Sequence, residues 1–478
     1  MAIMQRQTKI IATLGPAVAS QEGIRSLVDA GMDVARLNFS HGGHELHRKS
    51  YEWVRSAAED CGRTIAIMQD IQGPKLRVGE FPGGAIELHA DDEVDLLPDA
   101  GVGDSEHIPI GYEALLSDVS PGDRVILDDG LVSCEVVGRT DTALRARVVV
   151  GGILTDHKGV AFPDSSLTVG NITPKDEVDL AFGRELGVDF VAASFVRSAA
   201  DVEAVASLAG EAPIIAKIEL AQALDNLDEI IKVSFGVMVA RGDLGVQLPL
   251  DRIPLIQADI LKRANAAACV SVTATEMLES MTHHMRPTRA EVTDVATAVM
   301  EGTDAVMLSG ETAIGDYPSQ TVRAMARICQ TIEEGTLAGE TPVPFFVGEN
   351  DVASAVAQAA TQIAKNVGAR TIVAFTESGS TARLISKYRP GQRVVAFTPN
   401  VTTRRRMAML WGIQPHAFER RDYTDAELAA AARILEEEGI AATGETVVMV
   451  AGVPPNFQAS TNLVKVHQIG EESGTLGG

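Results

Sequence analysis

Short apolar runs alternate with amphipathic segments along most of the chain. Three runs come first, at Ile10–Leu14, Val34–Phe39 and Thr64–Met68, with helical spacing between them. Five more follow, at Phe190–Phe195, Ile214–Ile218, Val237–Ala240, Val270–Ala274 and Ala305–Leu308. This alternation predicts the strand–helix units of a parallel sheet. Eight such units close a (β/α)8 TIM-type barrel, and an open doubly wound sheet is the structural alternative.

The pattern changes in the middle of the chain and again near its end. Between about Val78 and Gly170, tight turns such as FPGG, SPGD and LDDG separate short strands, and no helical period persists. From Asp351 helices alternate with four further strands, at Ile372–Phe375, Val394–Phe397, Ile413–His416 and Val447–Val450. The chain is therefore predicted to be an α/β protein. Its barrel domain comprises residues 1–71 and 171–340, with a small β-barrel domain inserted at 72–170 and a C-terminal α/β domain at 345–478.

Composition and charge argue against a protein that binds nucleic acid, spans a membrane or is secreted. The 478 residues are 45% hydrophobic and 22% charged, with a net charge of −24. Such an acidic chain is a poor partner for nucleic acid or anionic membranes. No apolar run is long enough to span a bilayer, and the N-terminus lacks the apolar core of a signal peptide. The four scattered cysteines have no metal-binding spacing, so we expect reduced thiols in a cytoplasmic protein.

Charged side chains stand where the predicted strands end. In the stretch from Pro213 to Pro249, Lys217 and Glu219 end one strand, and Arg241 and Asp243 end the next. The carboxyl ends of barrel strands form the reacting face of this fold, and a lysine beside two carboxylates suits a divalent metal and an anion. A salt bridge with a helix cap is the alternative interpretation.

Other strand ends carry polar groups as well. The segment RLNFSHG presents Arg36, Asn38 and Ser40 on one side, which suits a phosphoryl group or a cation, or else an edge arginine with turn residues. The segment QDIQGPKLR carries Asp70, Lys75 and Arg77, and could equally be the hinge into the insertion. Thr275 and Ser309 follow the seventh and eighth strands. Their joint placement at one end of a barrel favours a site.

Eight motifs together resemble the pyruvate kinase family: TLGPA, MDVARLNFSHG, QDIQGPKLR, IIAKIEL, GVMVARGDLGVQLP, ATEMLESM, MRPTRAEVTDVATAV and MLSGETA. They occur in that family's order from Thr13 to Ala313, and the domain layout agrees. The resemblance implies a phosphotransferase of glycolysis that moves the phosphoryl group of phosphoenolpyruvate to ADP, giving pyruvate and ATP. It also implies that the insertion is a mobile lid and that the C-terminal domain is regulatory.

The resemblance assigns roles residue by residue. It implies that Glu219 and Asp243 bind Mg²⁺, with Mn²⁺ as an alternative ion, and that Lys217 lies beside the transferring phosphoryl group. Arg36 would clamp the phosphoryl oxygens, while Thr275 with the N–H groups of Gly242 and Asp243 would receive the substrate carboxylate. Protonation of the enolate would involve Thr275 and Ser309. The residues expected to contact the nucleotide are Asn38, His41, Arg63 and Lys158.

One departure from the family pattern concerns a monovalent cation. Asn38, Ser40 and Asp70 match the family's K⁺ site. Ile71 and Lys75, however, stand where many K⁺-dependent relatives have Thr and Glu. Ile71 removes a hydroxyl ligand, and the Lys75 ammonium could take the place of the ion. We therefore predict that K⁺ is not required.

The C-terminal domain raises a question of regulation. The loop TESGST matches the family's effector loop, but GVPPNFQASTN has no Arg or Lys between Gly452 and Asn462. A phosphorylated effector with one phosphate is hypothesised to bind Thr376, Ser378, Ser380 and Thr381, and a helix N-terminus that holds nothing is the alternative. The resemblance also implies a homotetramer.

Two other functions compete with the kinase. A Mg²⁺-dependent aldolase or lyase on a similar barrel would also stabilise a pyruvate enolate, but would not need Lys158, Arg63 or the whole insertion. A non-catalytic sensor would need only the C-terminal loop. Formation of ATP from phosphoenolpyruvate and ADP discriminates among the three.

Overall fold

The computed structural model of the chain describes residues 6–337, 351–421, 423–453 and 460–471. Its first segment contains three strands and two helices: β1 (Lys9–Leu14), α1 (Gln21–Ala30), β2 (Val34–Asn38), α2 (His44–Asp60) and β3 (Ala66–Asp70). Helix α1 begins after the N-cap Ser20, whose Oγ accepts the N–H of Gly23 at 3.0 Å. Strand β3 lies two residues later than predicted, so that Asp70 is its last residue.

The second segment is the inserted domain, which consists almost entirely of strands. They are β4 (Ala85–Leu88), β5 (Glu93–Leu97), β6 (His107–Pro109), β7 (Arg124–Leu127), β8 (Val132–Arg139), β9 (Leu144–Val150), β10 (Gly152–Thr155) and β11 (Val160–Ala161), with the one-turn helix α3 (Leu115–Asp118) after β6. Six form a sheet in the order β11-β7-β8-β9-β5-β6, and β10 pairs with β4. A separate apolar core that includes Val94, Leu96 and Val125 fills the domain. The predicted inserted β domain is confirmed, while its limits at 72 and 170 remain a prediction.

The third segment completes the barrel with five strands: β12 (Phe190–Ala193), β13 (Ile214–Ile218), β14 (Gly236–Ala240), β15 (Val270–Ala274) and β16 (Ala305–Leu308). The helices of this segment are α4 (Pro174–Leu186), α5 (Ala199–Ala209), α6 (Ala221–Asp225), α7 (Leu227–Val233), α8 (Arg241–Gln247), α9 (Ile253–Ala266), α10 (Arg289–Met300), α11 (Gly310–Ala313) and α12 (Pro318–Leu337). Helix α4 has Thr173 as its N-cap and Pro174 in its first turn.

Eight parallel strands close the barrel in the order β1-β2-β3-β12-β13-β14-β15-β16, with β16 pairing back to β1. The alternative of an open doubly wound sheet is therefore excluded. Because the strands are parallel, Asn38, Asp70, Lys217 and Ala274 end up at one mouth of the barrel, and Lys9 and Asp304 at the other. No helix in the described ranges is both long enough and apolar enough to cross a membrane.

The C-terminal domain is a five-stranded sheet with helices. Its elements are α13 (Val352–Asn366), β17 (Thr371–Phe375), α14 (Ser380–Lys387), β18 (Arg393–Thr398), α15 (Val401–Arg406), β19 (Ile413–Ala417), α16 (Thr424–Glu437), β20 (Thr446–Ala451) and β21 (Leu463–Gln468). The strand order is β19-β18-β17-β20-β21, and β21 runs antiparallel to β20. The four predicted strands are confirmed, but the fifth, β21, was not predicted. This domain packs against the mouth of the barrel at which Asp304 lies.

Candidate active site

Lys217, near the end of β13, is the centre of a chain of charges at one mouth of the barrel. Its ammonium lies 2.7 Å from Oε1 of Glu219 and 3.4 Å from Oδ1 of Asp70, and it donates to Oγ of Ser194 at 2.8 Å. The ammonium is therefore held from three directions. Its side chain is only 12% exposed, so these contacts are little weakened by water.

Arg36 extends the chain of charges to β2. Its Nε lies 2.6 Å from Oδ2 of Asp70, and its Nη1 donates to Oγ1 of Thr13 at 3.0 Å. The register of the sheet explains this pairing, because Asn38 of β2 stands opposite Asp70 of β3. A continuous series of contacts thus runs from Arg36 through Asp70 and Lys217 to Glu219.

The charges in this series shift one another's pKa. Burial opposes the charged form of Lys217, but the carboxylates of Asp70, Glu219 and Asp243 outweigh it and raise the pKa of the ammonium. Burial, followed by the charge of Asp243, raises the pKa of Glu219 to about 7 against the opposing effect of Lys217. The carboxylates around the ammonium thus raise the pKa of Lys217, whereas burial is the main cause of the raised pKa of Glu219. A further cation at Glu219 and Asp243 would relieve this excess of negative charge.

Glu219 and Asp243 are the side chains available for a metal. Glu219 is almost fully buried, and its Oε2 accepts the N–H of Phe195 at 2.8 Å. Asp243 lies in the first turn of α8 and lines the same cleft as Glu219. Among the described residues no group of three or more His, Cys, Asp or Glu side chains could hold a metal. A dication here would have two protein carboxylates, and Mg²⁺ commonly binds in this way, completing its shell with water and substrate oxygens.

Thr275 and Gly242 meet where two strands end. The N–H of Gly242 donates to Oγ1 of Thr275 at 2.9 Å, and that hydroxyl donates to the carbonyl of Ala274 at 2.7 Å. Ser309 directly follows β16, and its N–H donates to Oε2 of Glu311 at 2.6 Å. The preceding carbonyl, of Leu308, accepts from Oγ1 of Thr13, the hydroxyl that also binds Arg36. The hydroxyl of Thr13 therefore links the end of β16 to Arg36 of β2.

A cleft between the barrel and the inserted domain opens onto this mouth. Its lining from the barrel includes Glu219 and Asp243, and its lining from the linker and the inserted domain includes Lys75, Asp129 and Phe162. Lys158 lies near the cleft in the inserted domain, where its ammonium is 2.9 Å from Oδ1 of Asp128. Asn38 and His41 follow β2, and Oδ1 of Asn38 accepts the N–H of Ser40 at 3.2 Å.

Arg63 lies away from this site, so the prediction that it contacts the nucleotide is wrong. It precedes β3 and therefore lies at the opposite mouth of the barrel, where its guanidinium is 3.1 Å from Oδ1 of Asp33 and also binds the carbonyl of Val28. Arg77 is better placed. It donates to the carbonyl of His157 at 2.9 Å, directly before Lys158.

The residues matched to a K⁺ site are partly brought together. Asn38 and Asp70 stand opposite each other, and Ile71 is buried with its carbonyl accepting from Oγ of Ser194 at 2.7 Å. The end of the Lys75 side chain packs against Gly159 of the inserted domain, where a β-carbon would lie 3.2 Å from Cε of Lys75. Ser194 was missed in the sequence, although a hydroxyl at a strand end resembles Thr275 and Ser309.

The loop at residues 376–381, predicted to bind an effector, is held by threonine hydroxyl groups. Thr376 accepts the N–H of Gly379 at 2.9 Å, and Thr381 pairs with Thr461 at 2.7 Å. Both threonines are buried, whereas Ser378 and Ser380 are exposed and 3.1 Å apart. Most of the second predicted loop, at 454–459, lies outside the described residues.

Comparisons with known proteins cover almost the whole chain. The family model of the pyruvate kinase barrel domain matches residues 5–322, and that of the pyruvate kinase alpha/beta domain matches residues 354–467. The chain is 41% identical over 475 residues to a pyruvate kinase of Corynebacterium efficiens, covering 98% of this chain and 99% of the relative. It is 41% identical over 473 residues to a pyruvate kinase of Mycobacterium tuberculosis, covering 98% of this chain and 100% of the relative. The crystal structure of a pyruvate kinase from Cryptosporidium parvum superposes with a TM-score of 0.90 at 36% identity, covering 98% of this chain and 97% of that one.

Proposed function

This chain belongs to the pyruvate kinase family, and on that premise we propose that the cleft around Lys217 transfers the phosphoryl group of phosphoenolpyruvate to ADP. Membership makes the protein a transferase whose products are pyruvate and ATP. We place the reaction here because of the series of contacts Arg36–Asp70–Lys217–Glu219. In it the Lys217 ammonium lies between two carboxylates, 2.7 Å from Glu219 and 3.4 Å from Asp70.

Lys217 and Arg36 act as fixed positive charges. Because the surrounding carboxylates raise the pKa of Lys217, its ammonium is a poor proton donor and a good electrostatic partner for the phosphoryl group and the enolate. Phosphoryl transfer depends mainly on positioning and on such charge stabilisation. Arg36, held by Asp70 and Thr13, presents a planar guanidinium suited to phosphoryl oxygens.

Glu219 and Asp243 would hold the divalent ion, with Mg²⁺ preferred and Mn²⁺ as an alternative. Two hard oxygen ligands leave room for substrate oxygens and water, as Mg²⁺ requires. When bound, the ion supplies positive charge to the oxygens of the reacting groups. The N–H of Phe195 keeps Glu219 in place before any ion arrives.

Thr275 and the N–H groups of Gly242 and Asp243 would receive the substrate carboxylate, and Thr275 and Ser309 would line the path of the proton to the enolate carbon. Asn38, His41 and Lys158 would contact the nucleotide phosphates, joined by Arg77 in place of Arg63. Closure of the inserted domain would bring Lys158 over the barrel and exclude water.

A coupled assay for pyruvate, with and without Mg²⁺, tests the proposal. We expect pyruvate and ATP from phosphoenolpyruvate and ADP, and loss of both on chelation. Cleavage or formation of a carbon–carbon bond without ATP would instead support the aldolase or lyase. Phosphoenolpyruvate that persists in the presence of ADP and Mg²⁺ would contradict the proposed chemistry.

Independence from K⁺ follows from Ile71 and Lys75. We expect the same rate when Na⁺ or tetramethylammonium replaces K⁺. The double variant Ile71→Thr with Lys75→Glu should acquire a requirement for K⁺, because it restores a hydroxyl and a carboxylate and removes the ammonium. A large loss of rate in the unsubstituted protein without K⁺ would contradict this part.

Regulation and assembly complete the proposal. Ser378 and Ser380, with the buried Thr376 and Thr381 behind them, would bind a single phosphate of an effector in a homotetramer. Calorimetric titration with sugar monophosphates, AMP and fructose 1,6-bisphosphate tests the effector, and tight binding of the bisphosphate would count against a one-phosphate site. Light scattering tests the tetramer.

A further inference from the structure

Two consecutive residues of the candidate site have a backbone conformation that side chains rarely adopt. Thr275 has a φ of 64° and Glu276 a φ of 53°. A β-branched residue with positive φ is a true outlier, and such strain persists only where the surroundings hold the backbone in place. Some group must therefore fix this segment.

The side chain of Arg241 contacts the backbone of this segment. Its Nη2 donates to the carbonyl oxygens of Thr275 at 2.7 Å and Glu276 at 3.1 Å, and its Nε lies 3.4 Å from that of Ala274. Its Nη1 is paired with Asp294 of α10 at 2.5 Å. The side chain is only 11% exposed and points into the loop after β15. Three successive carbonyls thus face one guanidinium, whose planar fork can serve several acceptors at once.

The next residue holds Thr275 from another direction. The N–H of Gly242 donates to Oγ1 of Thr275 at 2.9 Å. Arg241 and Gly242, adjacent at the start of α8, therefore grip the backbone and the hydroxyl of the same threonine. The contacts of Arg241 with the backbone therefore help to fix the position of the Thr275 hydroxyl.

We propose that Arg241 is a positioning residue that fixes Thr275 for binding the carboxylate of the substrate. This rests on the proposed function, in which Thr275 and the N–H groups of Gly242 and Asp243 receive that carboxylate. Arg241 acts only through the loop. It discriminates in favour of small planar carboxylates because it holds the hydroxyl and the N–H groups at a fixed separation.

The variant Arg241→Lys tests the inference, since an ammonium keeps the charge but cannot span the carbonyls. We expect the KM for phosphoenolpyruvate to rise roughly tenfold or more, the equivalent of one lost charge-assisted hydrogen bond. The KM for ADP should stay unchanged. Binding of oxalate, a planar dicarboxylate, should weaken by the same factor in calorimetry with Mg²⁺ present. Asp294→Asn, which leaves Arg241 in place without its anchor, should show a smaller change of the same kind.

A compensating variant separates positioning from general stability. Glu276→Gly removes the side chain that makes positive φ costly, so it should recover part of the lost affinity in the Arg241→Lys background. Glu276→Ala keeps the β-carbon and should recover none. An unchanged KM for phosphoenolpyruvate in an otherwise active Arg241→Lys protein would overturn the inference. The inference would also be overturned if Arg241→Lys impaired kcat and both KM values to the same extent and Glu276→Gly restored none of the loss. Failure of the unsubstituted protein to make pyruvate would instead overturn the proposed function.

Discussion

At Lys217 one ammonium group meets three hydrogen-bond acceptors, from Glu219, Ser194 and Asp70. Such an arrangement fixes the position of the charge and keeps it protonated. A lysine on the protein surface is also protonated at neutral pH, but its ammonium is not fixed in position. The proposed role of Lys217 in neutralising the reacting phosphoryl group depends on both.

Replacing Lys217 with Met should remove this charge while keeping most of the volume of the side chain. We expect kcat to fall by roughly 10²–10³-fold, the cost of losing one preorganised charge partner of a transition state. Steady-state kinetics with circular dichroism checks the expectation. Lys262→Met, on the exposed face of α9, is the matched control and should leave kcat unchanged. Full activity of the Lys217→Met protein would exclude the proposed role.

Ser194 is expected to matter for the direction of the Lys217 ammonium. Its Oγ accepts from Lys217 and donates to the carbonyl of Ile71, so Ser194→Ala removes one of three restraints. A net hydrogen bond contributes about 1 kcal/mol, so we expect kcat to fall roughly fivefold with little change in KM. Ser207→Ala, on the exposed face of α5, is the control. A change confined to KM would argue against this interpretation.

Sequence predicted these residues unevenly, for physical reasons. Lys217, Glu219 and Asp243 were found because charges at strand ends of a parallel barrel share one mouth. The nucleotide contact predicted for Arg63 was wrong because this residue precedes β3, and the direction of the strand places it at the other mouth of the barrel. Ser194 follows a strand end as Thr275 and Ser309 do, but its contact with Lys217 depends on a neighbouring strand and is not visible in the local pattern.

At the scale of elements, the helix N-termini illustrate how local sequence and tertiary contacts combine. Helices α4 and α5 begin with the same capping box, Thr173 with Asp176 and Ser198 with Asp201. Their further contacts differ. Asp201 accepts the N–H of Arg197, directly before the cap, at 2.9 Å and lies 3.5 Å from its guanidinium. Oδ1 of Asp176 instead accepts the N–H of Gly73 at 3.1 Å, where the chain leaves the barrel for the inserted domain. One carboxylate thus ties helix α4 to the segment that leads into the inserted domain.

This difference gives a matched pair of variants. Asp176→Ala and Asp201→Ala should each lower the free energy of unfolding by about 1–3 kcal/mol, through loss of capping hydrogen bonds. Only Asp176→Ala should also raise the KM for ADP, because a looser hinge positions Lys158 less well. Urea unfolding and kinetics with varied ADP provide the measurements. Equal KM values for the two variants would show that the Gly73 contact does not control the lid.

Helices and strands could be predicted where the spacing of apolar residues was regular. The barrel strands and the caps Ser20 and Thr173 could be predicted from sequence because they depend on local patterns. The helical segment after β13 divides into α6 and α7, and β21 was missed because it is an antiparallel edge strand outside the strand–helix alternation. Such details depend on partners that are distant in sequence.

At the scale of the whole molecule, the two mouths of the barrel serve different purposes. One carries the candidate site and faces the inserted domain. The other is covered by the C-terminal domain, whose Lys387 and Arg389 reach Asp304 at the start of β16. Counting strands predicts the barrel, but no sequence pattern predicts that Asp304 meets two cations from a domain some eighty residues later.

Asp304 is therefore expected to hold the two domains together. It is 1% exposed, with Arg389 at 2.9 Å and Lys387 in direct contact. Burial opposes its charged form, but Lys387 and Arg389 outweigh burial and lower the pKa of the carboxyl. Burial, against the opposing charge of Asp304 and with a contribution from the positive charge of Arg389, lowers the pKa of Lys387. We therefore assign the stabilising effect of the cluster to Asp304. Asp304→Ala would leave two buried cations without their partner and should cost roughly 3–5 kcal/mol at neutral pH.

The pH dependence gives this prediction a second, independent test. A carboxyl whose pKa is lower in the folded state binds fewer protons there, so it stabilises the fold above its unfolded pKa of about 3.9. That contribution is lost as pH falls through the lower, folded value. The difference in urea midpoint between Asp304→Ala and the unsubstituted protein should therefore be largest near neutrality and shrink below about pH 4. Asp164→Ala, which removes an exposed pair with Arg124, is the control and should cost at most about 1 kcal/mol. Equal costs for the two variants would mean that the Asp304 cluster does not secure the C-terminal domain to the barrel.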